Sequence, residues 1–133
     1  MLLDTTIFVA ALDPDARPHR LAAQALASHA GQLLTTMAVL AETLDFLGKR
    51  RGWAGQAHVW ALVRSGVVTV VQDLPLERVA ELMEQYHDRP MGFADATLMA
   101  VAEARKLTRI FSLDGDFRVY RTADGRTLEV LAA

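Results

Sequence analysis

Four carboxylates interrupt apolar stretches of this chain: Asp4 in MLLDTTIFVA, Glu42 in VLAETLDFL, Asp95 in GFADATLMA and Asp114 in IFSLDGDF. Each admits a structural reading. Asp4 and Asp95 suit helix N-caps, which contribute about 1 kcal/mol, and Asp114-Gly115 suits a turn. Glu42 is harder to place that way. Helical spacing sets Ala38, Val39 and Phe46 beside it with Asp45 the one polar companion, and a buried, unpaired glutamate is costly. Taken together, the acids suggest a different chemistry. If the fold gathers them, each pair about 5 Å apart repels by roughly 3 kcal/mol at an effective dielectric of about 20, so the cluster needs a cation. Neither histidine nor cysteine occupies these positions, which selects a hard, oxygen-preferring ion, Mg²⁺ or Mn²⁺ rather than zinc. The chemistry such ions perform among carboxylates is mainly hydrolysis or transfer at phosphate.

The remaining titratable residues are less pointed. The histidines, His19, His29, His58 and His87, lack the spacing a zinc site on one helix needs. Zero cysteines exclude a disulfide scaffold and any thiolate site. A net charge of −2 does not mark the whole surface as a nucleic-acid binder. The basic clusters Lys49-Arg50-Arg51 and Arg105-Lys106 with Arg109 could contact phosphates, but each alone reads first as the solvated end of a helix. Trp53 and Trp60 lie seven apart on one helix face and read as dimer or core residues rather than base-stacking platforms.

The elements that must position these residues follow from composition and period. Hydrophobic residues make up 52% and charged residues 23% of 133, which is globular composition, and we expect one domain over residues 1–133. No apolar run approaches the roughly 20 residues of a membrane span, and the acid at position 4 argues against a secretory leader, so a cytoplasmic protein is expected. A short strand ending at Leu3 leads into a helical turn over 7–12, stopped by Asp13-Pro14-Asp15. Helical spacing over 17–30 ends at Gly31; 33–35 reads as a strand; Thr36 suits the cap of a helix to Arg51, with Gly52 closing it. Further helices are expected over 53–64, 76–86 and 94–106, and strands over 67–71, 109–113 and, at an edge, 128–131. Short strands alternating with helices imply a parallel sheet covered by helices, an α/β fold whose functional groups sit outside the carboxyl ends of the strands. Asp4 and Asp114 fall there.

The stretches LLDTTIFVA, VLAETLDFL, YHDRPMGFADATLMAVAEA and IFSLDGDFRVYR, running in order from residue 2 to residue 121, resemble PIN-domain proteins. The closest likeness is to the VapC-type toxins of bacterial and archaeal toxin–antitoxin pairs, which are small metal-dependent ribonucleases. The resemblance implies a PIN-like three-layer α/β/α fold with a short, mostly parallel central sheet. It matches Asp4, Glu42, Asp95 and Asp114 to the family's acidic quartet, with Asp4, Asp95 and Asp114 holding Mg²⁺ (or Mn²⁺). Glu42 would orient or deprotonate the attacking water, or bind a second ion. Thr6 matches the hydroxyl after the first acid, Ser112 stands where threonine often precedes the fourth, and Asp116 is a fallback carboxylate. Gly92 departs from the pattern, standing where related sequences often carry another acid; this bears on a second ion. Asp88 matches the same loop as a turn or capping residue.

The expected activity is endoribonucleolytic cleavage of RNA that reaches the acids past a positive rim from Arg17, Lys49, Arg50, Arg51 or Arg118. The resemblance also implies a homodimer and a VapB-type antitoxin whose tail offers an arginine to the carboxylates. The alternative is a PIN fold kept as a module that binds RNA or an antitoxin without cleaving. An aspartyl-nucleophile phosphatase would want an aspartate where Thr6 stands. A receiver-type phosphoacceptor would want paired acids after the first strand and a lysine after a late one, and neither is present.

Overall fold

Leu2 and Leu3 form the central strand, β1 (Leu2–Leu3), and both are completely buried. In the computed structural model, which describes residues 1–131, it is followed by α1 (Thr5–Leu12), α2 (His19–Ser28), β2 (Leu33–Thr36), α3 (Met37–Arg64) and β3 (Val68–Val71). Then come α4 (Leu76–Gln85), α5 (Phe93–Arg105), β4 (Arg109–Phe111), a 3-10 turn (Gly115–Arg118) and β5 (Glu129–Leu131). The strands make a five-stranded sheet in the order β3-β2-β1-β4-β5. Every neighbouring pair is parallel, Leu2 lying opposite Leu34 on one side and Ile110 on the other. The expected α/β architecture with a parallel sheet is what the chain adopts. No helix is long and apolar enough to cross a membrane among the described residues.

Helix boundaries depart from the periodicity for local reasons. The helix expected from Arg17 starts at His19, because Pro18 disfavours helical backbone at the residue before it. The two helices expected on either side of Gly52 are both present within α3, which breaks between them at Gly52, φ 63° and ψ −153°. The expected break is therefore a kink, in a backbone region open essentially to glycine alone. β4 stops at Phe111 rather than Leu113, since the Leu113 backbone N–H leaves the ladder to donate to the Thr6 hydroxyl at 2.9 Å.

The core that fixes the site is built on α5. Ala94 and Ala96 to Ala102 are all buried, so this helix is apolar almost all round and sits in the interior. Its alanines permit close approach, and Leu98 and Met99 are fully buried members of the same core as Ile7 and Phe8. Arg78 of α4 grips Glu103 of α5 with two hydrogen bonds, at 2.8 and 2.9 Å. The first turn of α5 reaches polar surroundings at the other end from Glu103, and Asp95 is there.

Candidate active site

Asp4 occupies the position before α1, yet its side chain caps nothing. One oxygen, Oδ2, accepts hydrogen bonds from the Thr6 hydroxyl at 2.8 Å and the Ser112 hydroxyl at 2.7 Å. Those hydroxyls in turn accept the backbone N–H groups of Leu113 and Asp114, both at 2.9 Å. A hydroxyl has one proton to give, so each amide behind it commits that proton to Asp4. Thr6 of α1 and Ser112 beyond β4 thus aim the first acid from two sides. Burial pushes the Asp4 carboxyl above the usual carboxylate range, the Ser112 and Thr6 hydroxyls pull against it, and the charge of Asp114 adds to it.

Asp95 lies in the first turn of α5, whose N-cap is Gly92; the N-cap reading of Asp95 is corrected accordingly. Its carboxylate is half-buried, and the Tyr120 hydroxyl is its side-chain donor, at a long 3.5 Å. Its pKa is pushed up to about 7, first by burial and then by the charges of Asp4, Asp114, Glu42 and Asp116, in that order. All four sequence-predicted acids therefore share one electrostatic field. The strand–helix junctions hold it: Thr97 donates to the Ala94 carbonyl at 2.6 Å, and the Thr36 hydroxyl, 2.8 Å away, donates to Thr97. Thr36 also accepts the Val39 N–H at 3.3 Å, tying β2, α3 and α5 together where the acids meet.

The other acids are committed in different degrees. Asp114 accepts the Asp116 N–H at 2.9 Å and caps the 3-10 turn, so the turn reading holds for it while its charge still reaches Asp4 and Asp95. Asp116 is not an idle fallback, because Arg89 donates to it at 3.1 Å. Glu42 is exposed, which corrects the expectation of a buried glutamate. Val39, Thr43 and Leu47 take the inward face of α3, leaving Glu42, Asp45 and Phe46 toward solvent.

Among the described residues no three aspartate, glutamate or histidine side chains already form a cage for an ion. The donor set nonetheless fits a hard divalent cation: all its atoms are carboxylate or hydroxyl oxygens, and Asp95 carries unrelieved repulsion from its neighbours. The expected basic rim is partly spoken for. Arg50 and Arg51 both donate to the buried carboxylate of Asp13, at 2.8 and 3.2 Å, and Lys49 pairs with Asp45 at 3.0 Å. Arg17 and Arg118 are exposed. Trp60 packs against the core while Trp53 is 69% exposed. Sequence reasoning missed Tyr120 and Arg89; both belong to motifs it singled out, but nothing in their spacing pairs them with Asp95 and Asp116.

The chain is a parallel α/β domain with acids past the ends of its strands, and the PIN domain model matches residues 1–123: the chain belongs to the PIN-domain family. It is 34% identical over 122 residues, 88% of this chain and 92% of the relative, to the 23S rRNA-specific endonuclease VapC20 of two Mycobacterium tuberculosis strains. The crystal structure of Mycobacterium tuberculosis VapC20, described as a sarcin–ricin loop cleaving toxin, aligns with a TM-score of 0.78 at 28% identity. That alignment covers 89% of this chain and 92% of the other. A crystal structure of a Pyrobaculum aerophilum protein shares the fold, with a TM-score of 0.68 at 18% identity over 98% of this chain and 87% of that one.

Proposed function

We propose that this chain is an endoribonuclease of the VapC toxin type, hydrolysing RNA phosphodiester bonds with Mg²⁺ or Mn²⁺ at Asp4, Glu42, Asp95 and Asp114. The observation that carries the reading is that Asp95, half-buried at the start of α5, feels burial first and then the charges of Asp4, Asp114 and Glu42, in a PIN-domain chain similar over most of its length to an rRNA endonuclease.

Asp4, Asp95 and Asp114 would hold the ion, which when bound supplies a more acidic water and charge to offset that on the phosphate oxygens. The chain's own residues do the rest. Thr6 and Ser112 keep Asp4 oriented, and Arg89 holds Asp116 beside Asp114. Glu42, exposed at the mouth, is free to take a proton from the attacking water. Gly92 puts no carboxylate three residues before Asp95, which favours one ion over two. The substrate to try first is a hairpin RNA carrying the sarcin–ricin loop of 23S rRNA. The same reading makes the chain a cytoplasmic homodimer restrained by a VapB-type antitoxin.

Purified protein should cleave that hairpin with Mg²⁺ or Mn²⁺ and stop with EDTA. Asp4→Asn and Asp95→Asn should stay folded and lose activity by on the order of 100-fold or more. Variants that cleave at the parent rate would place the chemistry elsewhere.

A further inference from the structure

Beside the acids, between the start of α1 and the exposed face of α3, lie two adjoining hollows of about 480 and 440 Å³. Thr5, Phe46 and Arg50 line both, Val9 and Leu113 give the first an apolar floor, and Glu42 joins the second to the acidic centre. Phe46 leaves 42% of its surface to solvent, and the Arg50 guanidinium lies 5.6 Å from its ring centre. Arg50 is anchored to Asp13 through Nε, so its outer fork remains available. Thr5 Oγ1 is the one buried side-chain polar atom without a hydrogen-bond partner among the described residues. A buried hydroxyl left unpaired is costly and calls for a partner.

We infer that this groove is a nucleotide subsite: it seats the base next to the bond being cut, stacked on Phe46. An aromatic ring with a guanidinium over it and much of its surface open to solvent is a stack that an unstacked RNA base extends. The Arg50 fork reaches the adjoining phosphate, and the Thr5 hydroxyl, turned about χ1, meets a polar edge of the base or the ribose 2′-hydroxyl. The subsite rests on the ribonuclease reading for its continuity with Asp4 and Glu42, and adds to it a recognition element that the acids cannot supply.

The test uses the full chain and the sarcin–ricin hairpin RNA. Phe46→Ala should raise KM by roughly 5- to 100-fold with kcat changed by less than about threefold, while Phe46→Trp stays close to the parent. An abasic nucleotide at one position flanking the cut should cost the parent the same factor and cost Phe46→Ala nothing further. Fluorescence anisotropy of the same RNA in EDTA reads binding without cleavage and should show the same loss. Equal RNA binding by parent and Phe46→Ala overturns the subsite, including the case where the variant loses only its grip on a protein partner. RNA bound through Phe46 but never cut leaves the subsite standing and refutes the ribonuclease reading. A parent chain that binds no RNA sinks both.

Discussion

Replacing Asp95 by asparagine should stabilise the metal-free protein at pH 8. In the folded chain this carboxyl ionises at about 7, against an ordinary value of 3.8. Ionising it in both states therefore costs the fold up to roughly 4 kcal/mol. Solvent reaches the half-buried group and screens its neighbours, so about 1–3 kcal/mol is the working figure. The sign follows from proton binding: the native state holds the proton more tightly than the unfolded chain. Below about pH 4 both states are protonated and nothing is lost; the penalty grows as pH rises toward 7 and is complete above it. Asp95→Asn removes the penalty, so its melting temperature in EDTA should exceed the parent's by roughly 3–10 °C at pH 8, with the gain shrinking toward pH 5. Mg²⁺ should act oppositely, stabilising the parent by about 2.7 kcal/mol at a hundredfold excess over Kd and the variant much less. Circular dichroism melts across pH 5–8, with EDTA and with Mg²⁺, decide the matter. An asparagine variant no more stable than the parent at pH 8, or one whose advantage grows toward acid, would refute the idea that burial and like charge together disfavour the ionised Asp95.

Ser112→Ala removes one of the two hydroxyls on Asp4 and strands the Asp114 N–H; urea unfolding should show a loss of about 1–2 kcal/mol, and RNA cleavage should fall on the order of tenfold. An unaltered rate would mean that Thr6 alone orients Asp4. Gly52→Ala should cost about 1–3 kcal/mol because of its backbone angles, although no atom lies within 4 Å of the added methyl; an unmoved urea midpoint would show that α3 can straighten. Leu47→Ala, at a fully buried position on the inward face of α3, should lower stability by about 2–5 kcal/mol in the same assay.

What the sequence made legible was whatever rests on neighbours along the chain. The β-branched run at Val68–Val71, the cap at Thr36 and the stop at Gly52 are local signals, and the structure honours each, the last as a kink. The acids could be found because each breaks an apolar context. Their side-chain commitments could not, since these depend on residues far apart in sequence: Asp4 with Ser112, Asp13 with Arg50 and Arg51, Arg89 with Asp116. Glu42 shows the limit from the other side. Its apolar neighbours at helical spacing suggested burial, but Ala38 is only half-covered and Phe46 is itself exposed, so that side of α3 looks outward.

Asp4 and Asp13 stand at the two ends of the eight-residue helix α1, one among the acids and the other gripping two arginines. At 1.5 Å per residue, that helix separates them by about 13 Å along its axis. On the proposed ribonuclease reading it would work as a ruler, setting how far along a strand of RNA the guanidiniums fall from the bond to be broken. One added helical turn would move that grip by about 5.4 Å, so the length of α1, rather than any single contact, would decide which phosphate is held while another is cut.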